Sequence, residues 1–401
     1  MSEIPQEIWD QVVDFANEDG SNSLKSCTLV CRAWLPHART LLFHDFTFPP
    51  LLHSRSNSGK LDKVPLTLHR INTSPITPSL STVVRRLRVG WPEWWKHADV
   101  HSRPLLPEIL FSQFSFNNLT HIRVHAWRFF ASDIESMCDL LARQPRLEYL
   151  AFDDDCDLSP EIFLELYLAA VRHGKNLHTL SIPRLERSMK GSNTIGVPRT
   201  HLDLPRLHAL RFSLAERHLL SLRLFNTSSL DRLVIGSGGL RLPSQFDCLE
   251  DILGQGGSSA STIKDLILEF DYLGDTIERE NFKHFQRLVN VRHFTIKFMR
   301  DCNNLSRHAR TMIEFFLPFL PNLRAFTLDL LGLGPTPSFF DQSTDLFLSS
   351  LPDTSNPHLE TVDFSVKEEW AALVVKLLPK TQERGLLNVR MGRESDPFGL
   401  D

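Results

Sequence analysis

The chain has 401 residues, enough for two or three ordinary domains or for one extended repeat array. Apolar residues make up 42% and charged residues 23%, an ordinary globular balance that excludes disorder over most of the chain. Lys plus Arg is 44 against 48 Asp plus Glu, a formal net charge of −4, which argues against a general nucleic-acid binder. No run approaches the roughly 18 uninterrupted apolar residues of a membrane span, so no membrane partner is expected. The start, MSEIPQEIWDQ, lacks the basic flank and apolar run of a signal peptide.

The net charge hides an uneven layout. Residues 1–50 hold 3 Lys/Arg against 7 Asp/Glu, residues 51–130 hold 11 against 4, and residues 131–401 hold 30 against 37. An acidic head therefore precedes a basic stretch and a long acidic one, a pattern that bears on partner choice.

In chain order, the first element is a helix. Ile4, Ile8, Trp9, Val12, Val13 and Phe15 fall at helical spacing, and Pro5 suits a first helical turn. A polar break at 17–21 ends it. A second helix reads SLKSCTLVCRAWL, with Leu24, Cys27, Thr28, Cys31, Trp34 and Leu35 on one stripe, Ser21 or Ser23 as N-cap, and Pro36 closing it. Cys27 and Cys31 are four apart, so they share a helix face as small buried hydrophobes and do not form a C-x-x-C site. The six cysteines lie far apart otherwise, and a reducing compartment is their natural home. Two short amphipathic helices make a small core, so they are expected to finish their burial elsewhere.

These residues resemble a known family. The run Ile4-Pro5-x-Glu7-Ile8, then Leu24, Cys27, Leu29-Val30-Cys31-Arg32 and Trp34, is similar to the F-box, and the tail RTLLFHDFTF is similar to the segment after the F-box in many fungal members. The resemblance covers residues 1–48 of the 401 and departs from the pattern in having Ile rather than Leu before the Pro. It implies docking on a Skp-family adaptor within a cullin-RING ubiquitin ligase. Carried over by position, Ile4, Pro5, Ile8, Leu24, Val30 and Trp34 match the family's adaptor-facing or interface-supporting apolar set. It also implies a cytoplasmic or nuclear protein.

Residues 49–80, rich in Pro and Ser, read as a linker that has room for a short helix. From residue 81 a template recurs: apolar-x-x-apolar-x-apolar. It reads VRRLRV (84–89), LTHIRV (119–124), LEYLAF (147–152), LHTLSI (177–182), LHALRF (207–212) and LDRLVI (230–235). It continues as IKDLIL (263–268), VRHFTI (291–296), LRAFTL (323–328), LETVDF (359–364) and LLNVRM (386–391), and FHDFTF (43–48) fits it too. Such units cannot bury their apolar faces alone and must stack, with a short strand in each. Helical patterns lie between them, clearest at 132–141, 160–171 and 307–317. Pro precedes several strands, a sensible helix stop. The expected fold is α/β: a small N-terminal helical F-box (1–48), a linker (49–80) and a curved, divergent leucine-rich-repeat solenoid (81–401). Its parallel strands would line the concave face, with helices outside. Residues 191–199, 254–261 and 332–338 read as loop insertions.

No constellation for chemistry appears. The Gly-rich GQGGSSAS lacks the Lys-Ser/Thr ending of a phosphate loop. Asp153, Asp154, Asp155 and Asp157 crowd a strand end, but the register of a calcium loop would place Leu158 and Leu164 where Gly and Glu are needed. His121 and His125 share one strand face, about 13 Å apart at roughly 3.3 Å per residue, too far to ligate one metal. No nucleophile or zinc-protease motif occurs. The chain therefore reads as no enzyme, with no cofactor and no metal.

What the array offers is a surface. The residues between the apolar strand positions line one face: Arg86, Arg88, His121, Arg123 and His125 early, then Tyr149, Asp153, Asp265, Glu269, Asp329 and Asp363, running from basic to acidic. Trp91, Trp94 and Trp95 stand at a strand exit, and Trp and Arg are favoured interface anchors. The candidate substrate-binding set is Arg86, Arg88, Trp91, Trp94, Trp95, His121 and Arg123. The resemblance and the array together imply a substrate receptor with three kinds of partner: a Skp-family adaptor, a cullin and an unidentified protein substrate. The alternative is a non-catalytic leucine-rich-repeat scaffold acting outside a ligase.

Overall fold

The computed structural model describes residues 6–18, 21–30, 34–48, 79–90, 116–125, 131–153, 156, 158–183, 206–213, 225–237, 259–270, 285–298, 313–331 and 342–391. The chain divides into two compact units, one of Met1–Leu177 with Leu185–Pro205, the other of His178–Arg184 with Arg206–Asp401.

The first unit opens with three helices, α1 (Gln6–Glu18), α2 (Ser21–Val30) and α3 (Leu35–His44). They close a small core of Val13, Leu24, Cys27 and Ala38, with Ala16, Trp34, Leu41 and Leu42 packed against it. Trp9 and Trp34 meet with ring centroids 5.3 Å apart. The chain then forms β1 (Asp45–Phe48), and after α4 (Leu80–Val83) come β2 (Arg86–Gly90) and β3 (His121–His125). Helix α5 (Ala131–Ala142), β4 (Tyr149–Phe152) and α6 (Pro160–His173) come next. Strands β1 to β4 are parallel and neighbour one another in chain order. Helix α6 starts where local chemistry places it: Ser159 Oγ accepts from the Ile162 N–H, Pro160 stands at the first helical position and Glu161 lies in the first turn. Its inner face buries Phe163, Leu166, Tyr167 and Ala170, and Phe163 meets Phe152 of β4 edge-on at 6.0 Å.

The second unit carries β5 (Thr179–Ser181), β6 (Ala209–Ser213), β7 (Arg232–Ser237), β8 (Asp265–Phe270), β9 (His293–Phe298), β10 (Ala325–Asp329), β11 (Thr361–Val366) and β12 (Leu387–Met391). These too are parallel and lie in chain order. Its helices are α7 (Ser259–Thr262), α8 (Gln342–Ser350), α9 (Glu368–Leu377) and α10 (Pro379–Glu383). Phe294 packs between Phe316 and Phe326, at 5.4 and 5.8 Å.

Each of the twelve described strands lies within or just past one copy of the six-residue template, and the leading apolar residue is buried in all eleven copies from Val84 to Leu386. Three backbone and side-chain devices repeat with the period. The carbonyl one place after the leading residue accepts two N–H groups from the next copy: Arg85 O takes Thr120 and His121, and Arg292 O takes Arg324 and Ala325. An Asn one place before the leading residue donates to the carbonyl two places before the previous one, as Asn176 to Pro145, Asn290 to Ser261 (2.7 Å) and Asn322 to Val289 (2.8 Å). Two buried amides three places before the leading residue serve the same purpose: Gln144 donates to Phe116 O, and Asn356 donates to Leu320 O. These bonds satisfy the turn carbonyls that stacking removes from water, which would otherwise be costly.

Some expectations change. Pro36 opens a third helix instead of closing the second: it stands in the first turn of α3, where its missing N–H is no loss. Leu80, expected at the end of the linker, is buried as the first residue of α4, capped by Ser79. Ser259, Ala260 and Ser261, expected in a loop insertion, belong to α7. Helices α8, α9 and α10 have no counterpart among the helices expected from the sequence. The last is fixed by Asp345 of α8, whose buried carboxylate accepts from the Lys380 and Thr381 N–H groups and from Thr381 Oγ1.

Candidate interaction surfaces

In the first unit the strand register sorts side chains onto two faces, since alternate residues point opposite ways. Leu87, Val89, Ile122, Val124, Leu150 and Phe152 are buried on one. On the other, Asp45, Arg86, His121 and Tyr149 are register partners across four strands, and Arg88 partners Arg123. The face is partly neutralised within itself. Arg86 lies 3.5 Å from Asp45, and Arg123 Nε donates to both carboxylate oxygens of Asp153 at 3.1 Å. His121 stacks on Tyr149 with centroids 5.5 Å apart, which buries Tyr149. The His125 ring occupies the place a Cβ would take at Gly90, so glycine there lets the imidazole lie across its neighbour strand.

Of the candidate substrate-binding residues, Arg86, Arg88, His121 and Arg123 are thus gathered on one face of β2 and β3. Trp91, Trp94 and Trp95 lie outside the described residues, as do Asp154, Asp155 and Asp157. So do Cys31, Cys248 and Cys302.

The second unit's face is not simply acidic. Glu269, Lys297, Asp329 and Asp363 are all buried on it. Arg211 Nε donates to Glu269 Oε2 at 2.8 Å, reaching from β6 past β7 to β8. Asp265 takes Arg232 on one side (3.1 Å) and His293 on the other (2.6 Å), and Asp363 takes Arg390 at 3.2 Å. The template places Arg211, Arg232, His293, Lys297 and Arg390 on this face as plainly as the acids. Reading the acids alone missed that Asp265, Glu269 and Asp363 are each paired with a cation.

The helices at the start present a different chemistry. Helix α1 carries two apolar stripes. Val13 and Ala16 turn toward the small core and Trp9 lies against Trp34, while Ile8, Val12 and Phe15, at i, i+4 and i+7, are 47%, 40% and 72% exposed. Leu29 and Val30 at the end of α2 are exposed as well. Among the residues matched to the adaptor-binding set, Ile8 and Val30 are exposed, Leu24 is 2% exposed inside the core, and Trp34 is half-buried against Trp9. Ile4 and Pro5 lie outside the described residues. Val12, Phe15 and Leu29 complete the exposed set. The helical spacing showed Val12 and Phe15 as apolar but could not say which stripe faces out.

Among the described residues no group of three His, Cys, Asp or Glu could hold a metal ion. No described helix is long and apolar enough to cross a membrane. Burial pushes the Cys138 thiol up to about 11, with Glu165 and Asp139 adding to the rise and Arg172 opposing it. Burial also raises the Tyr167 hydroxyl.

No protein-family model and no curated protein matches the chain. Among solved structures it is similar to a Bacteroides fragilis protein, a Northeast Structural Genomics Consortium target, at 15% identity with a TM-score of 0.36. That likeness covers 75% of this chain and 73% of the other. At this identity and score it carries no argument about function.

Proposed function

We propose that the chain is a substrate-receptor subunit of a Skp/cullin/F-box ubiquitin ligase, with leucine-rich-repeat-like units that hold the substrate. One observation carries the reading: the helical segment with the F-box-like residues leaves an apolar stripe of Ile8, Val12 and Phe15 in water, beside a core too small to use it. An exposed apolar stripe on a small helical module is what a docking helix needs, and the occupant the F-box resemblance implies is a Skp-family adaptor. Val30 and Leu29 are further exposed apolar side chains at the end of α2, Pro5 and Ile4 stand just before the stripe in sequence, and Leu24 lies within the small core with Trp34 packed against it.

In this role the chain does no bond chemistry. It raises the local concentration of a substrate lysine near a charged ubiquitin carrier held by the cullin, and transfer results from proximity. The strand face with Arg86, Arg88, His121 and Arg123 is the first candidate for substrate contact. A cytoplasmic or nuclear location fits this role and the cysteine usage.

The test is co-purification of the full chain with a Skp-family adaptor. The wild-type chain is expected to form a stable complex that Ile8→Asp with Phe15→Asp abolishes. Both side chains are exposed, so an unchanged circular dichroism spectrum is expected for the variant. A folded wild-type chain that shows no adaptor binding at micromolar concentration would sink this reading and leave the scaffold.

A further inference from the structure

Three cations stand in line at the entrance to adjacent strands of the second unit. Lys264, Arg292 and Arg324 each occupy the place after the leading apolar residue of consecutive repeats, just before β8, β9 and β10. Their backbones are joined directly: the Arg292 N–H donates to Lys264 O and the Arg324 N–H to Arg292 O, both at 2.8 Å. All three residues are exposed. The row ends in acids, because the same ladder continues to Asp231 before Lys264 and to Glu360 after Arg324. Glu360 lies 3.6 Å from Arg324. Between those ends no acidic side chain intervenes: the two residues before each leading position are Ser261 and Thr262, Val289 and Asn290, Pro321 and Asn322. Asp265, next to Lys264 in sequence, is held by Arg232 and His293. Among the described residues Lys264 and Arg292 have no ion-pair partner.

We propose that this row is a docking strip for a short acidic segment of a protein partner, separate from the strand face and independent of adaptor binding. Parallel strands are spaced about 4.8 Å apart, so the three charges span roughly 10 Å in a fixed line. A run of acidic residues in an extended peptide offers carboxylates at a comparable pitch. The row has no aromatic platform for bases among its own residues or those just before them. Residues 131–401 hold 30 Lys/Arg against 37 Asp/Glu, so the surrounding field opposes a long polyanion such as nucleic acid. A short acidic segment senses the local row instead. Val289, three residues before Arg292, is also exposed and offers a small apolar contact.

Fluorescence anisotropy of a labelled oligo-glutamate peptide, titrated with the full chain at low salt, tests this. Binding is expected, with weakening at physiological salt as exposed charges are screened. Joint replacement of Lys264, Arg292 and Arg324 by Glu is expected to cost about thirtyfold or more, since three exposed pairs are lost together. The milder triple change to Gln is expected to show the same direction. The proposal is overturned if the wild-type chain does not bind the peptide, if the variants at Lys264, Arg292 and Arg324 bind as well as wild type, or if a single-stranded oligonucleotide binds more tightly than the peptide. Because no adaptor is present, none of these outcomes bears on the ligase reading.

Discussion

Asn356 offers a direct test of how the repeats are held together. Its side chain is fully buried, and its Nδ2 donates to Leu317 O at 3.0 Å and to Leu320 O at 2.9 Å. Replacing it with Ala removes both donors. The cost is limited because each carbonyl keeps one backbone donor, Leu320 N–H for Leu317 O and Leu323 N–H for Leu320 O. Each of these two under-served carbonyls costs about 1 kcal/mol, at the low end of the range for unsatisfied groups. The space left by the side chain adds about 1 kcal/mol more, so the total is about 3 kcal/mol. Asn322 gives the internal control, since it is exposed and donates one bond, to Val289 O; its loss is expected to cost at most about 1 kcal/mol. In a unit of this size, about 3 kcal/mol lowers the thermal midpoint by roughly 6–12 °C. Thermal unfolding of both variants and the wild-type chain is followed by circular dichroism. If Asn356→Ala melts no lower than Asn322→Ala, the buried amides do not secure the stacking and the reasoning is wrong.

Other groups give further expected outcomes. Arg211 and Glu269 form a largely desolvated pair, with side chains 12% and 3% exposed. Glu269→Ala is expected to destabilise the second unit by about 3 kcal/mol, because it strands a cation. Arg211→Met with Glu269→Leu should recover most of that in urea melts, and a double variant as unstable as the single one would refute it. The Cys138 thiol, raised from 9.0 to about 11, favours the protonated form in the folded chain. Its contribution to stability is therefore intact below about pH 9 and lost as the pH climbs towards 11, and Cys138→Ala should flatten that part of the profile. Mass spectrometry of iodoacetamide-treated protein near pH 8 should show Cys138 modified far more slowly when folded than in urea, and equal rates would contradict the shift.

Strand positions were legible in the sequence because the template encodes both period and phase. A leading Leu, Ile or Val, then alternation, sets where each strand starts and which residues face inward, and a one-residue slip would put charges in the core. Asn176, Asn290 and Asn322 could be seen as a recurring Asn before an apolar residue, although their carbonyl partners could not. The helices were harder. Nothing local in SLKSCTLVCRAWLPHARTLLFH separates α2 from α3 except Pro36, and a proline serves as either a stop or a start. In α1 six apolar positions exceed what one face needs, so composition alone cannot choose the outward stripe. Helices α8 and α10 are joined by a long-range contact, the Asp345 carboxylate at the start of α10, which no periodicity announces.

The charge segmentation takes on a different meaning once partners are assigned. The acidic residues expected to colour the second unit's strand face are mostly consumed there: Glu269 by Arg211, Asp265 by Arg232 and His293, Asp363 by Arg390. A desolvated, paired carboxylate such as Glu269 gains little by turning to a new partner, since the new contact must first replace the old one. Such pairs tie strands of the sheet together and contribute little to recognition. The charges still able to attract a partner are those kept exposed and lightly compensated. In the second unit Lys264 and Arg292 are among these, with no ion-pair partner among the described residues, and Arg324 has only an exposed one. A chain with a net charge of −4 can therefore present a cationic docking row, because recognition depends on which charges are left solvated and not on their sum.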